Sequence, residues 1–157
     1  MASLVIDSSV VVKWFLPEPI ATEARVIRAA AQAGTLSLLA PDLIYAELGN
    51  IVWKRHTMQG LPADDARRIV DAVRTLPLAT TSAADLLDDA YRLAVAHRRT
   101  VYDALYLALG LREGCSFVTA DERLVNGVAT VLPYVVWLGT WSPPGPPKTS
   151  GVGGTQS

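Results

Sequence analysis

Between Arg99 and Arg112 the chain runs Val101-Tyr-Asp-Ala-Leu-Tyr-Leu-Ala-Leu-Gly-Leu111, and Asp103 is the sole charge in it. The run is apolar on nearly every helical face, so it predicts a helix buried on all sides rather than one lying on a surface. A helix of that kind needs other layers around it, which restricts the fold to one with a covered interior. A lone carboxylate in such surroundings is costly unless it is paired or coordinates a metal. Three further acids, Asp7, Glu47 and Asp121, also stand beside apolar runs.

A chain of 157 residues predicts one domain, with roughly 70% of the unfolded surface removed from water. Half the residues are hydrophobic and 18% are charged, which excludes a disordered chain. The formal net charge of −1 favours no partner class. Setting the four acids aside leaves eleven against fourteen Lys and Arg, so the remaining surface carries about +3 and leans toward anionic partners. Cys115 is the single cysteine, which rules out a disulfide framework or a cysteine-based zinc site and fits a reducing cytoplasm. Asp7 and Lys13 interrupt the apolar N-terminus, so no signal peptide is expected. Leu124 to Pro147 is uncharged, but its prolines and glycines make it a poor membrane span.

The pattern predicts strands at 3–7, 36–40, 78–81, 116–119 and 135–138. Helices are predicted at 8–16, 20–33, 41–59, 62–76, 82–97, 101–113 and 121–125. Proline and glycine mark many of the boundaries: Pro17 and Pro19 stop the first helix, Pro41 opens the third, and Gly34, Gly60 and Gly114 close others. Short strands alternating with helices imply an α/β fold, a mainly parallel central sheet flanked by helices on both faces. The domain is expected to span residues 1–141. From Ser142 to Ser157 eight of sixteen residues are Pro or Gly, which predicts a disordered tail.

In open α/β sheets ligands gather at the carboxyl ends of the strands. Asp7 ends the first strand and Asp121 follows the fourth, on the same edge. Glu47 sits among Ile44, Leu48 and Ile51 and is expected to point inward, and Asp103 lies in the first turn of its helix. Four like charges gathered there repel unless a cation joins them. All-oxygen ligation favours Mg²⁺ or Mn²⁺ over zinc, and His56 and His97 lie outside the acidic motifs. The chemistry such an ion supports is hydrolysis of a phosphodiester strand. Each acid also has a plainer reading. Asp7 and Asp121 can cap the helices that follow them, Asp103 can answer a helix dipole, and Glu47 can face solvent or pair with Lys54 or Arg55.

Four segments now carry a resemblance. Val5-Ile-Asp7-Ser-Ser9-Val-Val-Val-Lys-Trp-Phe-Leu-Pro-Glu-Pro19 resembles the opening of PIN-domain ribonucleases, specifically the VapC-type toxins of bacterial toxin–antitoxin pairs. Ala46-Glu47-Leu-Gly-Asn50, Tyr102-Asp103-Ala-Leu-Tyr-Leu-Ala-Leu109 and Val118-Thr119-Ala-Asp121-Glu-Arg-Leu124 resemble that family's later acidic motifs, in its order. The resemblance covers residues 3 to about 140, and no acid is missing. It implies an endoribonuclease dependent on Mg²⁺ or Mn²⁺, with Asp7 and Asp103 as primary ligands and Glu47 and Asp121 completing the cluster. It implies that Ser9 and Thr119 orient those carboxylates, although turn or cap bonding is their ordinary use. It also implies a cognate antitoxin and a homodimer built through helices.

Lys54 and Arg55 lie roughly 10–12 Å beyond Glu47 along one helix, and Arg98 and Arg99 precede Asp103 closely. All four are candidate RNA-phosphate contacts, against the commoner reading of a solvated face or ion pairs. For Trp14, Phe15 and Trp53, core packing is preferred over base stacking. Two rivals stand beside the nuclease. One is a catalytically silent PIN-like module that binds antitoxin or RNA. The other is a phosphoacceptor receiver domain, which lacks here an early acidic pair and a late Lys between Lys54 and Lys148.

Overall fold

The computed structural model describes residues 1–145. Its regular elements, in chain order, are β1 Ala2–Ile6, α1 Ser8–Val11 running into a 3-10 turn Val12–Trp14, α2 Ala21–Gln32, β2 Leu36–Pro41, α3 Leu43–Gln59, α4 Ala63–Val73, β3 Leu78–Thr81, α5 Ala83–His97, α6 Val101–Glu113, β4 Ser116–Thr119, α7 Glu122–Val128, β5 Val135–Trp137 and a closing 3-10 turn Leu138–Thr140. The five strands form one sheet in the order β3-β2-β1-β4-β5, and every pairing is parallel.

That order locates the functional edge. From β1 the chain steps outward to β2 and then β3. It then crosses back past β1 to β4 and steps outward the other way to β5. With right-handed crossovers, α1 to α4 cover one face of the sheet and α5 to α7 the other. Neighbouring strands β1 and β4 therefore send their following segments in opposite directions. This is the topological switch point, where a crevice opens at the carboxyl edge.

The central strands are buried on both faces, as parallel strands must be: Val5, Ile6, Phe117 and Val118 have no exposed surface. Helix α6 buries seven consecutive residues, Ala104 to Gly110, and packs on α5, β1, β2 and β4. Gly110 is required by closeness: a Cβ there would stand 2.9 Å from the Tyr134 ring, whose hydroxyl donates to the Leu107 carbonyl at 2.7 Å.

Several boundaries differ from expectation. The first helix is a single α turn that tightens into a 3-10 turn, and stops before the prolines. Pro41 does not open α3. It ends β2, paired with Thr81, while Asp42 turns the chain and accepts from the Ala83 amide at 3.0 Å. The fourth helix starts at Ala63 and stops at Val73, short of the expected 62–76. Conversely α7 continues through Asn126 and Gly127 to Val128. The Arg99 guanidinium lies over its glycine, 2.8 Å from where a Cβ would be. Of the tail expected over 142–157, residues from 146 lie outside the described residues, and 142–145 form no regular element.

Candidate active site at the carboxyl edge of the sheet

Asp7 directly follows β1 and is buried, 9% exposed. Its Oδ1 accepts from the Ser9 amide at 3.1 Å and the Ser9 hydroxyl at 2.5 Å, and its Oδ2 from the Thr119 hydroxyl at 2.6 Å. The same two hydroxyls reach onward. Ser9 Oγ accepts from the Ala120 amide at 2.9 Å and Thr119 Oγ1 from the Asp121 amide at 3.1 Å. The loops after β1 and β4 are thus laced together around one carboxylate. Asp7 caps α1 as well, so its plainer reading and its placement in the cleft hold together.

Glu47 comes from the second turn of α3 and is half-buried. Its Oε1 accepts a short hydrogen bond from the Tyr106 hydroxyl on α6. Asp103, one turn before Tyr106, is a third exposed and faces the Arg99 guanidinium at 3.8 Å. Its helix is capped by the Thr100 hydroxyl, which accepts from the Asp103 amide at 3.1 Å. Asp121 is exposed and caps α7, with Oδ1 accepting from the amides of Arg123 at 3.0 Å and Leu124 at 3.3 Å.

Electrostatically the four acids form a chain. Burial pushes the Asp7 carboxyl up to about 6, against the lowering effect of its Ser9 and Thr119 hydrogen bonds, and the Glu47 charge adds to the rise. Glu47 is raised by burial and by Asp103, opposed by its Tyr106 hydrogen bond. Asp103 is raised first by burial, then by the charge of Asp121, while Arg99 pulls it down. Burial and the Glu47 charge push the Tyr106 phenol far above its ordinary range, which keeps it a hydrogen-bond donor.

The acids are nonetheless less tightly gathered than four ligands on one ion. Among the described residues no three Asp, Glu, His or Cys side chains close into a metal cage. Each carboxylate is instead held by its own donors: Asp7 by hydroxyls, Glu47 by a phenol, Asp103 by a guanidinium and Asp121 by helix amides. Mg²⁺ is commonly held by one or two carboxylates and keeps several waters, so an open all-oxygen arrangement suits it better than a closed cage would.

The other sequence candidates divide. Arg55 makes a short ion pair with Glu18, which Lys13 also approaches at 3.9 Å, so the ion-pair reading holds for Arg55. Arg99 belongs to the acidic cluster through Asp103. Lys54 and Arg98 are exposed, and Arg98 closes α5 in the left-handed conformation at φ 53°. Trp14 and Phe15 pack against the core beneath the Arg28 guanidinium. Trp53 does not: it is 54% exposed, contrary to the packing expected of it. The residue given no role from the sequence is Tyr106. Its spacing of three from Asp103 puts both on one helix face, the signal that could have found it.

An open parallel sheet with a carboxylate crevice at its switch point defines a class: doubly wound α/β domains that work at the strand ends. The chain belongs to the PIN-domain family, whose model matches residues 4–127. It is 36% identical over 126 residues to Ribonuclease VapC3 of Pyrobaculum aerophilum, spanning 78% of this chain and 92% of that protein. Two solved structures share the fold. The P. aerophilum protein PAE2754 aligns with a TM-score of 0.63 and 22% identity, over 88% of this chain and 92% of its own. VapC20 of Mycobacterium tuberculosis, a toxin that cleaves the sarcin-ricin loop, aligns with a TM-score of 0.59 and 15% identity, over 82% and 95%.

Proposed function

We propose that this protein is a metal-dependent endoribonuclease and the toxin of a type II toxin–antitoxin pair. The observation that carries the reading is the coupling of Asp7, Glu47, Asp103 and Asp121 along the β1/β4 edge, in a chain so similar to a protein named a ribonuclease.

Asp7 and Asp103, with Glu47 and Asp121 directly or through water, would hold Mg²⁺ or Mn²⁺. The bound ion supplies two things, acidification of an attacking water and neutralisation of charge on the phosphate. The chain's own groups supply position. Ser9 and Thr119 fix both oxygens of Asp7, and Tyr106 fixes Oε1 of Glu47. Burial raises the proton affinity of Glu47 in the metal-free chain, and a bound cation would hold it ionised. Arg99 offsets the negative charge beside Asp103. Lys54 and Arg98, exposed, are the remaining basic contacts for an RNA backbone, which they would position without reading sequence.

The partners follow the same reading: an RNA substrate, an antitoxin that covers the acidic edge, and a second copy of the chain. No helix among the described residues is long and apolar enough to cross a membrane. The site of action we assign is the cytoplasm.

The deciding experiment is cleavage of labelled single-stranded RNA by the full chain. Cutting is expected with Mg²⁺ or Mn²⁺ and not with EDTA, and is lost in Asp7→Asn and Asp103→Asn variants that still fold. Cutting that survives either substitution, or a folded chain that never cuts, overturns the reading.

A further inference from the structure

The sheet edge does not end at β4. In the parallel register Thr119 pairs with Trp137, so Trp137 stands at the end of β5 on the same row as Thr119 and on the same face. From Asp7 to Trp137 is two strand spacings, roughly 10 Å. Beside Trp137, between α7 and β5, the surface opens into a cavity of about 570 Å³. That volume lies within the roughly 300–1,000 Å³ usual for small-ligand sites. Its walls include Trp137, Val125 and Val136, with Asn126, Thr140 and Glu122 as polar groups. Glu122 in its wall immediately follows Asp121 in the chain, which brings the cavity's lining to the residue next to the acidic crevice.

Two features make Trp137 unusual. Its ring lies tight against Gly139, where a Cβ would stand 2.4 Å from Cη2, so only glycine admits the ring there. Its indole N–H is buried with no acceptor among the described residues. The ring is thus seated by packing. We propose that this cavity receives a nucleobase of the single-stranded substrate, stacked on Trp137 and reached by the Asn126 amide and the Thr140 hydroxyl. It would hold the strand while the neighbouring acids address a phosphate. An amide offers a donor and an acceptor to a base edge, and an indole face accepts any base, so the pocket favours single strands over duplexes. The identity of the ligand rests on the nuclease reading.

The test uses the full chain carrying Asp103→Asn, which stops hydrolysis, and measures equilibrium binding of a short labelled single-stranded RNA and of a base-free backbone of equal length. Adding Trp137→Ala should weaken RNA binding about 10- to 100-fold and leave the base-free backbone unchanged. Trp137→Phe should retain most of the affinity. Equal loss on both ligands, or no loss on either, overturns the pocket. Should Trp137→Ala fail to fold, photocrosslinking of a thiouridine-bearing RNA to the Trp137-containing chain decides. Adducts on residues 122–140 support the pocket, and adducts confined to other segments overturn it. Hydrolysis by the unsubstituted chain in Mg²⁺ is scored separately. A chain that cuts RNA yet binds it without regard to Trp137 loses only the pocket, and one that needs Trp137 for binding yet never cuts loses only the nuclease reading.

Discussion

Asp7 is a carboxylate placed where its charge is unwelcome. Its ordinary value of 3.8 rises to about 6 on folding. The folded state therefore holds the proton more tightly than the unfolded chain, and stability falls as pH rises from about 4 through 6. In EDTA, thermal unfolding should shift to lower temperature between pH 5 and pH 7.5, with Asp7 accounting for about 1.4 kcal/mol of the difference. Asp7→Asn keeps the helix cap and removes the charge. It should raise the melting temperature at pH 7.5 in EDTA and flatten this pH dependence, while abolishing cleavage. Saturating Mg²⁺ should stabilise the unsubstituted protein, by about 2.7 kcal/mol at a hundredfold excess over Kd, and stabilise Asp7→Asn much less. A melting temperature that climbs from pH 5 to 7.5 without metal would contradict the burial argument. Tyr106→Phe retains the stack on Phe117, with ring centroids 5.5 Å apart, and loses the donor to Glu47. Cleavage should drop about 10–100-fold with the circular dichroism unchanged, and undiminished activity would remove Tyr106 from the site.

At the scale of elements, the acids do two jobs, and helix α7 lets them be separated. Asp121→Ala removes both cap and charge and should cost about 1 kcal/mol in chemical denaturation. Asp121→Asn preserves an N-cap acceptor and should unfold like the unsubstituted chain while losing cleavage. Should both substitutions cut RNA normally, Asp121 is a cap and nothing more. This doubling explains what the sequence could and could not reveal. The apolar run 101–111 announced a buried helix, and Asp7, Asp103 and Asp121 stood at strand ends or first turns, where local rules place them. The Tyr106–Glu47 contact could not be read, because it joins residues 59 apart through the packing of α6 near α3. Likewise Arg99 over Gly127 and Glu18 with Arg55 are tertiary matches that no local period encodes. Pro41 misled because a helix-opening proline and a strand-ending proline look alike until β3 pairs beside it.

For the whole molecule, the surface of α5 carries Leu87, Tyr91 and Val95 at a spacing of four, each more than half exposed. We assign this stripe to the proposed homodimer. Tyr91→Glu should shift sedimentation from dimer to monomer without loss of helicity, and an unchanged sedimentation coefficient would place the contact elsewhere. Induction of this chain alone should arrest growth, and Asp103→Asn should relieve the arrest. Equal toxicity of the two would argue against strand cleavage as the cause.

The crossing from β3 back to β4 sets an order of events during synthesis. When residue 115 leaves the ribosome, Asp7, Glu47 and Asp103 all exist, yet the strand that completes the crevice beside β1 has still to emerge. Thr119, which grips Asp7, and Asp121 arrive afterwards. The crevice can therefore close around Asp7 only after about three-quarters of the chain has left the ribosome, so the site is completed late in synthesis.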